Sequence, residues 1–114
     1  MSVGASMRES MTIIHTDDQG FSDYAITLTC AYKRESRQWV GVCEELGTSA
    51  FSDTLEQAQA ELREAIELQL NEIERLGYTQ EYLEKNQVRV VPISVNRQTG
   101  FTFATAGRLE RIGA

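Results

Sequence analysis

Proline occurs once, histidine once and cysteine twice in these 114 residues. Cys30 and Cys43 are too few and too far apart in the chain to staple a disulfide framework, and with His15 as the only imidazole they cannot complete a four-ligand zinc site. Both are expected as reduced, packed thiols, and no metal or other cofactor is expected. Basic residues are also scarce. Lys and Arg number 11 against 17 Asp and Glu, a formal charge of −6, which argues against general affinity for a phosphate backbone and fits a basic partner better. Hydrophobic runs are short as well: nothing approaches the roughly 18 apolar residues of a membrane span, and the first residues lack the apolar core of a signal peptide. The cytoplasm is the expected compartment, without membrane association. At this length one domain with a real core is the default.

The strongest pattern present runs from Asp53 to Leu76. Turning 100° per residue, Leu55, Ala58, Leu62, Ala65, Ile66, Ile73 and Leu76 fall on one stripe, the signature of an amphipathic helix. Thr54 with Gln57, or Asp53 with Glu56, opens it as a capping box, and the two alternatives are not separable by sequence. Gly77 closes it by taking the left-handed conformation, with Tyr78 folding back over Ile73. The helix is predicted from Leu55 to Leu76. A single stripe needs cover from other elements.

The flanks read as strands. Tyr24, Ile26, Leu28, Cys30 and Tyr32 alternate with smaller residues; Trp39 to Cys43 is apolar on both faces; Thr48 to Ser52 leads into the helix. Lys33 to Arg37 reads as a charged hairpin connection and Glu44 to Gly47 as a turn. A strand apolar on both faces calls for cover beyond the helix, from the N-terminal segment or from a second subunit. After the helix, Tyr78 to Asn86 holds a short helical turn with Thr79 as candidate cap, and Val88 to Val95 is a fourth strand. Pro92 cannot donate to a ladder and belongs at an edge or bulge. Asn96 to Gly100 reads as a hairpin turn and Phe101 to Thr105 as a fifth strand. Residues 1–20 read as a flexible tail, with Met11 to His15 as a possible edge strand, 21–105 as the domain, and 106–114 as frayed. The fold class is α+β: a two-layer β3-α-β arrangement, an antiparallel sheet with one long helix packed across it.

Catalysis is not expected. Asp17, Asp18, Asp23 and Asp53 are scattered along the chain, and Ser49, Ser52 and Cys43 have no recognisable base. The helix carries Glu56, Glu61, Glu64, Glu67, Glu72 and Glu74 away from its apolar stripe, either as a solvated face or as a surface complementary to a basic protein. Tyr32 stands beside Lys33, Arg34 and Arg37, which reads as a soluble hairpin tip or a small RNA contact. Trp39 reads as core packing or as an interface anchor. Gln69, near the middle of the oily stripe, is either a satisfied amide or a contact across a two-fold. Tyr32, Trp39, Val40, Val42 and Gln69 are the candidate partner or dimer interface.

The run Trp39-Val-Gly-Val-Cys-Glu-Glu-Leu, then Asp53-Thr-Leu-Glu-Gln-Ala58, then Glu64-Ala-Ile-Glu-Leu68 resembles the HicB-like antitoxin family, whose members show Cys-Pro-Glu-Leu, Gly-Asp-Thr-Leu-Glu-Glu-Ala and Glu-Ala-Ile-Glu-Leu at these places. Glu44 stands where proline is usual, Ser52 where glycine is usual and Gln57 where a second glutamate is usual. The resemblance covers roughly Ala25 to Val95. It implies a partial RNase H-like fold without that fold's catalytic acids, forming a homodimer or higher homo-oligomer that blocks a small HicA-type toxin which degrades mRNA. Two-domain members add a DNA-binding module after this domain; about 19 residues follow Val95 here, so no autonomous DNA binding is expected. A small RNA-binding domain and a structural homo-oligomer without a toxin are the alternatives.

Overall fold

The protein is described by a computed structural model covering residues 5–93, 101–105 and 108–112. The elements run β1 (Ser6–Thr16), β2 (Ser22–Glu35), β3 (Gln38–Cys43), β4 (Ser49–Ser52), α1 (Leu55–Leu76), α2 (Thr79–Lys85), β5 (Arg89–Pro92), β6 (Phe101–Thr105) and β7 (Arg108–Ile112). The sheet has the order β1-β2-β3-β4, with β5 pairing β2, while β6 and β7 form a separate two-stranded sheet. This is an α+β fold with one long helix against an antiparallel sheet. The chain divides into two compact units, Met1–Met11 with Leu28–Val88 and Thr12–Thr27 with Arg89–Ala114.

In the first unit α1 spans the predicted 22 residues. Of the two candidate caps it uses Thr54, whose hydroxyl accepts from the Gln57 amide at 3.2 Å. At the far end Gly77 sits at φ 79°, its N–H reaching the Glu74 carbonyl and the Tyr78 N–H the Ile73 carbonyl, each at 3.1 Å. These are the paired bonds of a Schellman close. A Cβ at Gly77 would meet nothing within 4 Å, so Gly77→Ala tests backbone strain alone. It is expected to lower the unfolding free energy by about 1 kcal/mol in urea titration.

α1 packs on β3 and β4, and Ala58, Leu62 and Ile66 of its stripe are buried, as are Leu28, Cys30 and Tyr32 of β2 and Cys43 of β3. β2 and β3 pair from Cys30↔Cys43 to Glu35↔Gln38, and β3 and β4 from Trp39↔Ser52 to Val42↔Ser49. The hairpin is tighter than the charge pattern suggested. Backbone pairing carries both strands past Lys33 and Arg34, so only Ser36 and Arg37 turn, Ser36 at φ 56°. A positive φ at the first turn residue suits the twist of a two-residue hairpin. Thr79, expected as the cap of α2, is instead its first residue, and its hydroxyl donates to Glu74.

The segment read as a loose tail holds the eleven-residue strand β1, longer than the Met11–His15 edge strand considered as an alternative. Its half-buried residues alternate, and in this unit they are Met7, Glu9 and Met11. Met7 and Met11 are spaced to cover Gln59 and Cys30, their sulfurs 3.8 and 3.4 Å from those side chains. Counting apolar residues hid this, because Arg8, Glu9 and Ser10 stand between the two methionines.

In the second unit β2 pairs β5 from Tyr24↔Pro92 to Thr27↔Arg89. Pro92 ends a strand whose described pairing is to β2 alone, which spares it the missing donor. The fourth strand is shorter than predicted within the described residues, stopping at Pro92. Residues 94–100, and with them the expected Asn96–Gly100 turn, lie outside the described residues. Phe101–Thr105 is a strand as predicted, paired with Arg108–Ile112 in the stretch expected to be frayed. Residues 106, 107, 113 and 114 lie outside the described residues.

Candidate functional site

Alternation sorts the sheet of the first unit into two faces. A Cβ built on Gly41 would meet the Tyr32 ring and the Leu62 side chain, so Trp39, Gly41 and Cys43 face the helix and Val40 and Val42 face away. Tyr32, one of the five candidate interface residues, is 1% exposed. Its hydroxyl donates to Glu9 Oε1 at 3.2 Å, and the Arg63 guanidinium lies 3.9 Å from the same oxygen. Burial pushes the Tyr32 phenol up, with Cys30 and Glu9 adding to it. That ring is core, placed there by the period of its own strand.

Gln69 is also engaged within the fold. Thr48 Oγ1 donates to its Oε1 at 2.5 Å, and its Nε2 donates to the Tyr82 hydroxyl. Of the two readings of this residue, the satisfied amide is the one the fold carries; it ties α1 to the β3–β4 connection and to α2. Trp39 lies half-buried on the helix face, opposite Ser52. The Ser52 hydroxyl donates to Glu61 at 2.6 Å, fastening β4 to α1.

The remaining two candidates, Val40 and Val42, sit on the face turned away from α1. Cross-strand register places Ala31 beside Val42 and Phe51 beside Val40. Ala31, Val40 and Val42 are half-buried, and Phe51 is 60% exposed. Together they make an apolar strip across three strands. Its margins are polar: Lys33 pairs with Val40, and Arg8 makes a two-point bond to Glu44 at 2.6 and 2.7 Å. The Arg8 bond and charge hold the Glu44 carboxyl below its usual range. Phe51 and Ala31 escaped sequence reading because their importance depends on register; each stands in a strand beside residues of ordinary interior type.

Side chains with chemical potential are mostly spent on structure. Cys30 and Cys43 are free, buried thiols. Glu45 takes the Thr29 amide at 2.7 Å and its hydroxyl at 3.0 Å, holding the Glu44–Gly47 turn against β2. In the second unit Asp17 Oδ1 accepts the amides of Gln19 and Phe21, each at 2.9 Å, shaping the β1–β2 turn. His15, which the sequence left without a partner, stacks on Tyr24 at 4.4 Å and bonds Asp23 through Nδ1 at 2.7 Å. Partial burial raises the Asp23 carboxyl, but the His15 bond and charge outweigh it and leave it lowered. Among the described residues, no group of three or more His, Cys, Asp or Glu side chains is placed to hold a metal ion.

What the fold and this face define is a small α+β domain with an apolar strip on the side of its sheet opposite the helix. Compared with known proteins, the chain matches no family model, no curated protein and no solved structure. None of its described helices is long and apolar enough to cross a membrane.

Proposed function

We propose that this chain is a HicB-like binding module that works by contact, sequestering a small, basic, mRNA-degrading toxin of the HicA type. The observation that carries the reading is the strip Ala31, Val40, Val42 and Phe51, with Phe51 60% exposed on its outermost strand. A solvent-facing aromatic flanked by β-branched residues and rimmed by charge has the make-up of a protein-binding patch. The element order β2-β3-β4-α1, with β5 following after the short α2, supports the family resemblance carried by the Trp39–Leu68 run. The charge of −6 favours encounter with a basic partner and speaks against the RNA-binding alternative. In this reading the module has no chemistry of its own and works as a homodimer or higher homo-oligomer.

The test uses a neighbouring reading frame that encodes a small basic protein. Its induction alone is expected to arrest growth, and co-induction of this chain to restore it. Calorimetry on the purified pair is expected to show binding, weakened about thirtyfold by Phe51→Asp, as befits the loss of an exposed aromatic contact worth about 2 kcal/mol. Phe51 is too exposed for that change to threaten the fold. Growth arrest that persists despite soluble chain, with no heat of binding, would sink the proposal. A stable homo-oligomer that Phe51→Asp dissociates and that ignores the basic protein would favour the structural alternative.

A further inference from the structure

The two cysteines meet. Cys30 and Cys43 are direct cross-strand partners in β2 and β3, although twelve other residues separate them in the chain. The Glu44 amide donates to the Thr29 carbonyl at 2.8 Å and the Cys43 amide to Thr48 at 2.7 Å. Position 29 with 44 is therefore a hydrogen-bonded pair, which leaves 30 with 43 as the intervening non-hydrogen-bonded one. In that kind of pair the Cα atoms approach to about 4.5 Å and the side chains stand closest, inside the Cα range that a disulfide requires. Both side chains point to the helix face, where the Cys30 thiol meets the Met11 sulfur at 3.4 Å and the Cys43 thiol meets Glu45 Oε1 at 3.9 Å.

From this register we infer that Cys30 and Cys43 form a modification site, closing into an intramolecular disulfide when the chain meets a small-molecule disulfide oxidant such as oxidised glutathione. One protein thiolate attacks the glutathione disulfide, displacing one glutathione and leaving a mixed disulfide. The second thiolate attacks the protein-side sulfur of that bond and displaces the other glutathione. Two protein thiols thereby lose two protons and two electrons, and one glutathione disulfide becomes two glutathione thiols. The inference is independent of the toxin-binding reading.

Access sets the rate. Both cysteines are 0% exposed, and burial pushes the Cys30 thiol up to about 12 and raises Cys43 as well. Thiolate is scarce in the closed fold, so the reaction waits on opening of the covering elements. The nearest cover is Met11 of β1, whose sulfur is 3.4 Å from that of Cys30, and edge strands open more readily than central ones.

The full chain is incubated with oxidised glutathione at urea concentrations below its unfolding midpoint, and in parallel refolded from urea in a glutathione redox buffer. Intact mass then reads the product. The expected species is a monomer lighter by two hydrogens. Trypsin cuts after Lys33, Arg34 and Arg37, so the link should appear as two joined peptides. Its thermal midpoint should rise on the order of 10 °C, as for a crosslink across a short loop in a small domain, and fall back with a dithiol reductant. Cys43→Ser should stop at a single glutathione adduct. Accumulation of a doubly glutathionylated chain, a disulfide-linked dimer, or a refolded chain with both thiols free would each overturn the inference.

Discussion

Leu62→Ala lowers the unfolding free energy by about 2–5 kcal/mol, the range for emptying a well-packed leucine site. Leu62 is 0% exposed, at the centre of the helix stripe between Ala58 and Ile66. Leu68, six residues on along α1, is 65% exposed, and Leu68→Ala is expected to cost under about 0.5 kcal/mol. The two substitutions remove the same atoms from one helix, so their difference isolates burial from helix propensity. Urea unfolding of both variants reads it. A Leu62→Ala loss no larger than that of Leu68→Ala would mean that α1 does not lie on the sheet with this face.

Gly41→Ala is the second large effect, and its sign is decided by two opposed magnitudes. Glycine inside a strand is the less favourable residue, and alanine there gains about 0.5–1 kcal/mol in an open site. At Gly41 the site is not open. A Cβ would lie 2.7 and 2.9 Å from two carbons of the Tyr32 ring and 3.3 Å from a Leu62 methyl. The ring cannot swing clear, because it is buried and its hydroxyl is held by Glu9. Overpacking of this kind costs about 1–3 kcal/mol, so the steric term wins and the variant is less stable. The diagnostic is a double-mutant cycle with Tyr32→Leu, which is expected to deviate from additivity by at least about 0.5 kcal/mol. Strict additivity would show that the aromatic ring is not the obstacle.

How much could be read in advance follows from the range over which each signal acts. The choice of Thr54 over Asp53 as the cap of α1 was not legible, whereas the bounds of that helix and its Gly77 close depend on residues within one turn of each other and were legible. So was the inward row of Ile26, Leu28, Cys30 and Tyr32, since period two is local to the strand. Strand β1 was only partly legible, as Met11 to His15, because its inward row includes Glu9, whose burial is tolerated through Tyr32, 23 positions away. Gln69 could not be settled for the same reason: its partners Thr48 and Tyr82 come from either side of the helix in sequence. Of the five candidate interface residues, Val40 and Val42 share the outward face, Trp39 is half-buried beneath the helix, and Tyr32 and Gln69 serve the interior. Phe51 joined that face only through its register with Val40.

Glu9 has a further consequence for the sheet as a whole. β1 stands at one end of the strand order, and an outermost strand with a continuous greasy row is a template on which further chains stack into fibrils. A carboxylate in the inward row interrupts that template. An inward-facing charge is one of the devices that keep an outermost strand from pairing with further chains, and here the Tyr32 hydroxyl and the Arg63 guanidinium balance it within the native fold.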